Sequence, residues 1–415
     1  MEIITFLREL ISSLLFNIAM GQSYYYDSSI FPSIFAILLY VSFAWIILKK
    51  ISFPNRLNIY AALVLGLIVA FASVRYMPFG GDARIYCDYM SINLSGANVY
   101  LVDQKYAFNY PPFFIIILTQ FCKLNYMEAY PIVYSLLIGL ATFVLSKEYK
   151  IDLLTVGTIL TTSFLGFRWV LKTGNFLFWE IMFLLLALVF AKKNANLTLI
   201  LLVLFGFQRL WFFLVPLLWF KVAKKKINYI GLGGSTLVLF SLLAIKFELL
   251  NSYINQLLNG NTISSVWNGE ANHNSPSLLL NVVDLFNLHS SFLICYIAYS
   301  AIIIFYINKS LNKSIFNQRQ YLLSQIIFLV VTLNPTFKPY YAILAVIALV
   351  PLISLLKVNY VDHYIFVYCF LINIFWIIGS LVPMGYPYSI FQIVFILSTI
   401  KIMFNNESYV KDNRF

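Results

Sequence analysis

Apolar runs of about 17–22 residues recur from one end of this chain to the other, and that is the length a helix needs to cross the hydrocarbon of a bilayer. The runs are continuous rather than alternating, so the spans are helices and not the strands of an outer-membrane barrel. Composition agrees. Of 415 residues 61% are apolar and only 11% charged, with mean hydropathy +0.84, whereas a water-soluble domain carries roughly 25% charged residues to cover its wet surface. The chain is therefore expected to be an all-α polytopic membrane protein, a single integral membrane domain over 1–415.

The hydrophobic segments fall at 30–48, 57–76, 128–146, 153–170, 176–191, 197–220, 228–246, 292–308, 320–334, 340–356, 363–382 and 387–404. Residues 3–20 resemble a signal peptide, but Arg8 and Glu9 interrupt the apolar core and no small-residue cleavage site follows. They read as an uncleaved first helix, spanning or interfacial. Short basic loops set the orientation. Clusters such as Lys49, Lys50 and Arg56, Lys221 to Lys226, and Lys309 to Arg319 place 18 of the 28 Lys and Arg on one side, which is assigned to the cytoplasm. The net charge of +12 is thus an orientation signal, not a nucleic-acid footprint. For the loops to alternate, 197–220 must be two half-helices meeting near Gln208 and Arg209, a break that belongs where it lines a cavity within the protein. The same alternation lays 111–124 flat on the outer surface as an interfacial helix. Two long polar stretches, 77–110 and 247–291, fall on the outer side, and with the interfacial helix the first makes an outer loop over 77–127. Cys87, Cys122, Cys295 and Cys369 have no paired spacing, so neither a disulfide framework nor a zinc site is expected.

Acids are scarce, 16 in all. Asp82 stands out because it follows an outward-running apolar segment behind Gly80 and Gly81, at the membrane–water boundary, where a carboxylate suits a general base for a hydroxyl. Asp88 either shares that site or forms the polar face of an interfacial helix. Cations on the outer side are few. Arg209 at the helix break and Lys338 in the Pro-bracketed turn NPTFKP stand out, and Arg168 and Lys172 beside Gly174 and Asn175 come next. His273 and Asn274 lie together in the second outer loop, His273 being one of only three histidines. Asp82 and Asp88 alone make a poor hard-cation site, so no metal or other cofactor is expected.

Residues 82–112 carry a more specific pattern: Asp82, Tyr86, then Gly96 and Tyr100, then Tyr110, Pro111 and Pro112 opening an apolar helix. This resembles the first outer loop of the polyprenyl-phosphate-dependent, mannosyltransferase-like glycosyltransferases of family 87, in the GT-C superfamily. Looser likenesses follow at Gly174 and Asn175, at Arg209 and Pro216, at 272–277, and at NPTFKPYY, where Lys338 stands near the family's histidine. The resemblance implies a GT-C type bundle of about 11–13 transmembrane helices, with juxtamembrane helices in the first outer loop. It implies a hexosyltransferase with Asp82 as base and Asp88, Tyr86, Tyr110, Arg168, Lys172, Asn175, Arg209, His273, Asn274 and Lys338 binding substrate. Its partners would be a polyprenyl-phosphate-linked sugar donor, a lipid or glycan acceptor and membrane lipids. A multi-pass transporter or flippase, or a surface-polysaccharide polymerase or ligase, are the alternatives. The first should show inverted halves, and the second paired arginines in its largest outer loop; 247–291 has neither Arg nor Lys.

The charge bias makes a prediction about sides. Alkaline phosphatase fused within 259–270 should be active and the same enzyme fused after Lys226 inactive; the reverse pattern would invert the assigned topology.

Overall fold

The computed structural model describes residues 81–102, 110–124, 126–153, 173–258, 291–312, 318–335 and 341–354, with isolated positions between them. Of the sequence segments above, 3–20, 30–48, 57–76, 363–382 and 387–404, and most of 153–170, lie outside the described residues. The described part is all-helical. Eleven α-helices follow one another: α1 Gly81–Leu94, α2 Phe113–Lys123, α3 Tyr126–Tyr149, α4 Phe178–Phe190, α5 Ala195–Phe207, α6 Leu214–Ala223, α7 Tyr229–Ala244, α8 Leu250–Leu258, α9 Phe292–Asn312, α10 Arg319–Thr332 and α11 Ala342–Ile353. Two helices are long and apolar enough to cross a membrane, Ala129–Tyr149 within α3 and Leu293–Asn312 within α9. A third span results if the pair Tyr229–Ala244 and Phe247–Gln256, bent by 74° at its break, is counted as one. Lys246, in the left-handed conformation at φ 58°, makes that bend.

Where the helices face outward they face outward with large apolar side chains. Ile132, Leu136 and Leu140 form an exposed stripe along α3, and Leu293, Ile294, Ile297, Ile302 and Phe305 do the same on α9. In water such continuous apolar surface is an association site; against lipid tails it has no cost. The opposite face of α3 is buried and carries Tyr126, Tyr130 and Tyr134 at a spacing of four. α10 and α11 pack on each other and are buried almost all round, from Leu323 to Val331 and from Ile343 to Leu352, which marks them as the centre of the bundle.

α1 buries Ala83, Tyr86, Tyr89 and Met90 and exposes Arg84 and Asp88, one stripe at helical spacing. It packs on α2, where the Thr119 hydroxyl lies 3.3 Å from the Met90 sulfur while donating to the Ile115 carbonyl. Two findings differ from the sequence reading here. Cys87 and Cys122 form a disulfide, their Cα atoms 5.5 Å apart. Linear spacing could not show it, because the pairing depends on α1 and α2 folding back on each other. Further, α2 does not merely lie on a surface. It buries Phe114 among Phe176, Trp179 and Phe207, with ring centroids 5.3–6.1 Å apart. The two long polar stretches also meet: Asn98 donates to the Ser252 hydroxyl at 3.0 Å and Tyr100 packs on Tyr253 at 5.5 Å.

Closing the 35-residue separation between Cys87 and Cys122 is worth about 3–4 kcal/mol in the chain-entropy account. Cys87→Ser should therefore lower the melting temperature in detergent, and peptides holding the two cysteines should separate in mass spectrometry only after reduction.

Candidate functional site

The site is built on a turn. Gly174 has φ +67°, a conformation that favours glycine. A Cβ placed there would lie 2.6 Å from the Ala83 Cβ and 3.1 Å from the Tyr130 ring. The absent side chain thus lets the chain reverse ahead of α4 and lets α1 lie directly against the turn. Three successive carbonyls of the turn are held by side chains. Gly174 accepts from the Tyr126 hydroxyl at 3.2 Å, Asn175 from the Tyr134 hydroxyl at 2.5 Å, and Phe176 from the Gln208 amide at 2.7 Å. The Tyr134 oxygen in turn accepts the N–H groups of Leu177 and Phe178, at 2.9 and 3.0 Å. These amides open α4 and have no partner within the helix. One hydroxyl hydrogen and two lone pairs are all in use.

With its backbone held, Asn175 turns its side chain to α1. Its Nδ2 donates to the Asp82 Oδ2 and to the Tyr86 hydroxyl, both at 3.0 Å. The carboxylate fixes which way the amide points, since the flipped orientation would set two acceptors against each other. Asp82 and Tyr86 are four residues apart on α1 and so share a face. The Tyr86 and Tyr110 hydroxyls are 2.7 Å apart, and Tyr110 is placed by the Tyr100 hydroxyl, which donates to its carbonyl at 2.7 Å. Tyr110 then accepts from the Arg209 guanidinium at 3.0 Å. Burial pushes the Tyr110 phenol up to about 12 against the opposing pull of Arg209. It is therefore neutral at pH 7 and works as a hydrogen-bonding link, not as a base.

Arg209 reaches this point because its helix stops. α5 ends at Phe207, Arg209 is extended at φ −136° and ψ 118°, and a single 3-10 turn, Leu210–Phe213, leads into α6. Gly206 permits the break, since a Cβ there would stand 3.1 Å from the Phe212 backbone. The Trp211 indole ties the turn to α10 by donating to the Val330 carbonyl at 2.7 Å. Pro216 lies in the first turn of α6, where its missing N–H has no partner to lose. The junction is where the sequence put it. The Arg209 guanidinium lies 4.8 Å from the Tyr110 ring and 5.6 Å from that of Tyr341, and its Nε is 3.6 Å from the Glu180 Oε1. Glu180 is fully buried, in the first turn of α4, and neither of its oxygens accepts a hydrogen bond.

Asp82, Tyr86, Tyr110, Asn175 and Arg209 thus form one connected cluster drawn from four segments far apart in sequence. Asp88 does not join it. Six residues along a helix turn it away from Asp82, and its side chain is exposed. Arg168, Lys172, His273, Asn274 and Lys338 lie outside the described residues. Among the described residues no group of three His, Cys, Asp or Glu could hold a metal ion. Sequence reasoning missed Glu180, Gln208 as a turn clamp, and the tyrosines behind the turn. Glu180 had a signal, being the one acid inside the apolar run 176–191; the four-residue tyrosine spacing in α3 was another.

The chain matches no known protein family, no curated protein and no solved structure.

Gly174→Ala should destabilise the fold by about 2–4 kcal/mol, from overpacking against Ala83 added to the cost of positive φ. A melting curve in lipid-supplemented detergent reads it, and a wild-type midpoint would remove the close approach of α1 to the turn.

Proposed function

We propose that this chain is a membrane glycosyltransferase of the GT-C kind, with the bundle of about 11–13 spans that its hydrophobic segments suggest. It moves one hexose, such as mannose, from a polyprenyl-phosphate donor to a lipid or glycan acceptor at the outer face of a cytoplasmic membrane. The observation that carries this reading is the hydrogen-bonded path from Asp82 through Asn175, Tyr86 and Tyr110 to Arg209. It joins a carboxylate at the start of the first polar stretch to a guanidinium at a helix break. The residues along it are those the family-87 pattern names. The Cys87–Cys122 bridge supports the outer placement of 77–127, because structural disulfides persist in oxidising compartments.

The chemistry needs two opposite ends. Asp82 takes the proton of the acceptor hydroxyl as its oxygen attacks the anomeric carbon. The bond from that carbon to the phosphate oxygen breaks, and the phosphate leaves with the electron pair and with charge that Arg209 offsets. Attack opposite the leaving group inverts the anomeric configuration. Asn175 positions Asp82 by holding one carboxylate oxygen, while Tyr86 and Tyr110 fix the separation of the two ends.

A transporter is the second reading, and Glu180 favours it. A fully buried ion pair beside a second carboxylate also describes a substrate or proton pathway.

Asp82→Ala and Asp82→Asn separate the two. In a membrane assay with labelled polyprenyl-phosphate sugar, transfer should fall by about 10²–10⁴-fold with folding and donor binding retained. Full transfer by well-folded Asp82→Ala would sink the mechanism. Uptake of the sugar lipid without any transfer would favour the transporter.

A further inference from the structure

Basic loops orient a membrane chain by their number alone; the structure adds where those bases stand relative to one another. At the far end of α4 from the turn, the ends of α4, α6 and α9 meet the starts of α5, α7 and α10. The Trp219 indole donates to the Ala195 carbonyl at 3.4 Å and the Asn228 N–H to the Asn196 Oδ1 at 3.0 Å, so α6 ends and α7 begins against the start of α5. Arg319, opening α10, donates to the Lys192 carbonyl at 2.7 Å, and Lys221, in the last turn of α6, donates to the Asn308 Oδ1 of α9 at 2.9 Å. Both acceptors are neutral. They hold the two cations in place without cancelling their charge, and Lys192, Lys193, Lys224, Lys226 and Lys309 stand exposed at the same helix ends. Among the described residues the ion pairs are Arg209–Glu180 and Lys246–Glu248, and neither lies here. The described acids of this end, Glu148 and Asp152, close α3 and have Lys147 and Lys150 beside them in sequence.

Apolar side chains lie one turn deeper. Leu217 precedes Lys221 on α6, and Phe305 precedes Lys309 on α9, at the helical spacing that puts base and apolar group on one face. Both are exposed, as are Tyr229 and Ile230 at the start of α7 just beyond Lys226. We propose that this end of the bundle binds anionic phospholipid, with the phosphate and charged headgroup at Lys221 and Arg319 and the acyl chains along the exposed faces of α6, α7 and α9. The order along each helix, apolar and then cationic, is the order of such a lipid from its tails to its headgroup. A soluble anion would need no apolar strip beneath the bases. Cations between helix ends on the cytoplasmic side attract anionic headgroups, at roughly fivefold in affinity for each. The inference does not rest on the transferase reading, whose residues lie toward the other end of α4.

Native mass spectrometry of the full chain, released from detergent with equal amounts of phosphatidylglycerol and phosphatidylcholine of the same acyl chains, provides the test. Wild type should retain phosphatidylglycerol at least about tenfold over phosphatidylcholine, and Lys221→Gln with Arg319→Gln should lower that ratio at least about fivefold. Lys123→Gln, which removes an exposed base at the opposite end, should leave it unchanged. If the Lys221 and Arg319 variant does not fold, Lys224→Gln with Lys309→Gln decides in its place, since neither side chain makes a hydrogen bond or ion pair among the described residues and the ratio should again fall. Equal retention of the two lipids by wild type overturns the proposal and leaves the basic end to an acidic protein partner. A preference that survives the substitutions, or that Lys123→Gln lowers as much, reports net charge and not this site, and overturns it too. Displacement of phosphatidylglycerol by inorganic phosphate would make the site one for a free anion and equally remove the lipid.

Discussion

A backbone turn inside an apolar bundle strands carbonyls and amides where no water can reach them, and in lipid each stranded group costs several kcal/mol. At 174–178 those groups have been given partners one by one. Tyr126, Tyr134 and Gln208 hold three carbonyls, and Tyr134 also receives two amides. The rest of the site depends on that turn. Its direction starts α4 and so fixes Glu180, its glycine admits α1 and so Asp82, and its asparagine holds Asp82 and Tyr86. Tyrosine suits the task, with a ring to fill the space beneath Gly174 and a hydroxyl to reach the backbone.

Arg209 poses the complementary problem of a charge at depth. Facing rings contribute about 0.5–2 kcal/mol each when desolvated. An effective penalty of several kcal/mol attends each buried ion, and an ion pair repays it only with good geometry and further hydrogen bonds. Glu180 has neither: the contact is 3.6 Å long and its oxygens accept no hydrogen bond. Two apolar residues of similar volume would hold α4 to the helix break at least as well. The contact is therefore hard to account for as a stabilising ion pair.

What was legible in the sequence divides along physical lines. Apolar runs found α3, α4, α7, α9, α10 and α11 to within a few residues, because a continuous apolar run has to be kept from water whatever its tertiary contacts. The break at Gln208 and Arg209 was legible too, since charge alternation demanded it. Asp82, Tyr86, Tyr110, Asn175 and Arg209 could be picked out by scarcity and by family pattern, but nothing linear said they would touch. Asp88 was indistinguishable from them until helical phase turned it outward. The disulfide was hidden for the same reason as the tyrosine clamp: both join residues 35 or more positions apart and leave no periodic trace.

Catalytic use of Asp82 would require that it not wander, and α1 on its own is an amphipathic helix of 14 residues, a length at which isolated helices are marginal. Two constraints hold it. At its beginning, Ala83 presses on Gly174 while Asn175 holds Asp82 and Tyr86. Five residues after Asp82, Cys87 bonds it to α2. α2 is anchored in turn by Phe114 among Phe176, Trp179 and Phe207, residues that flank the same turn and the same helix break. The carboxylate and the guanidinium are thus referenced to one rigid body by independent routes, one polar and one aromatic. Such double referencing would keep an acid–base pair within the few tenths of an ångström that preorganised catalysis requires.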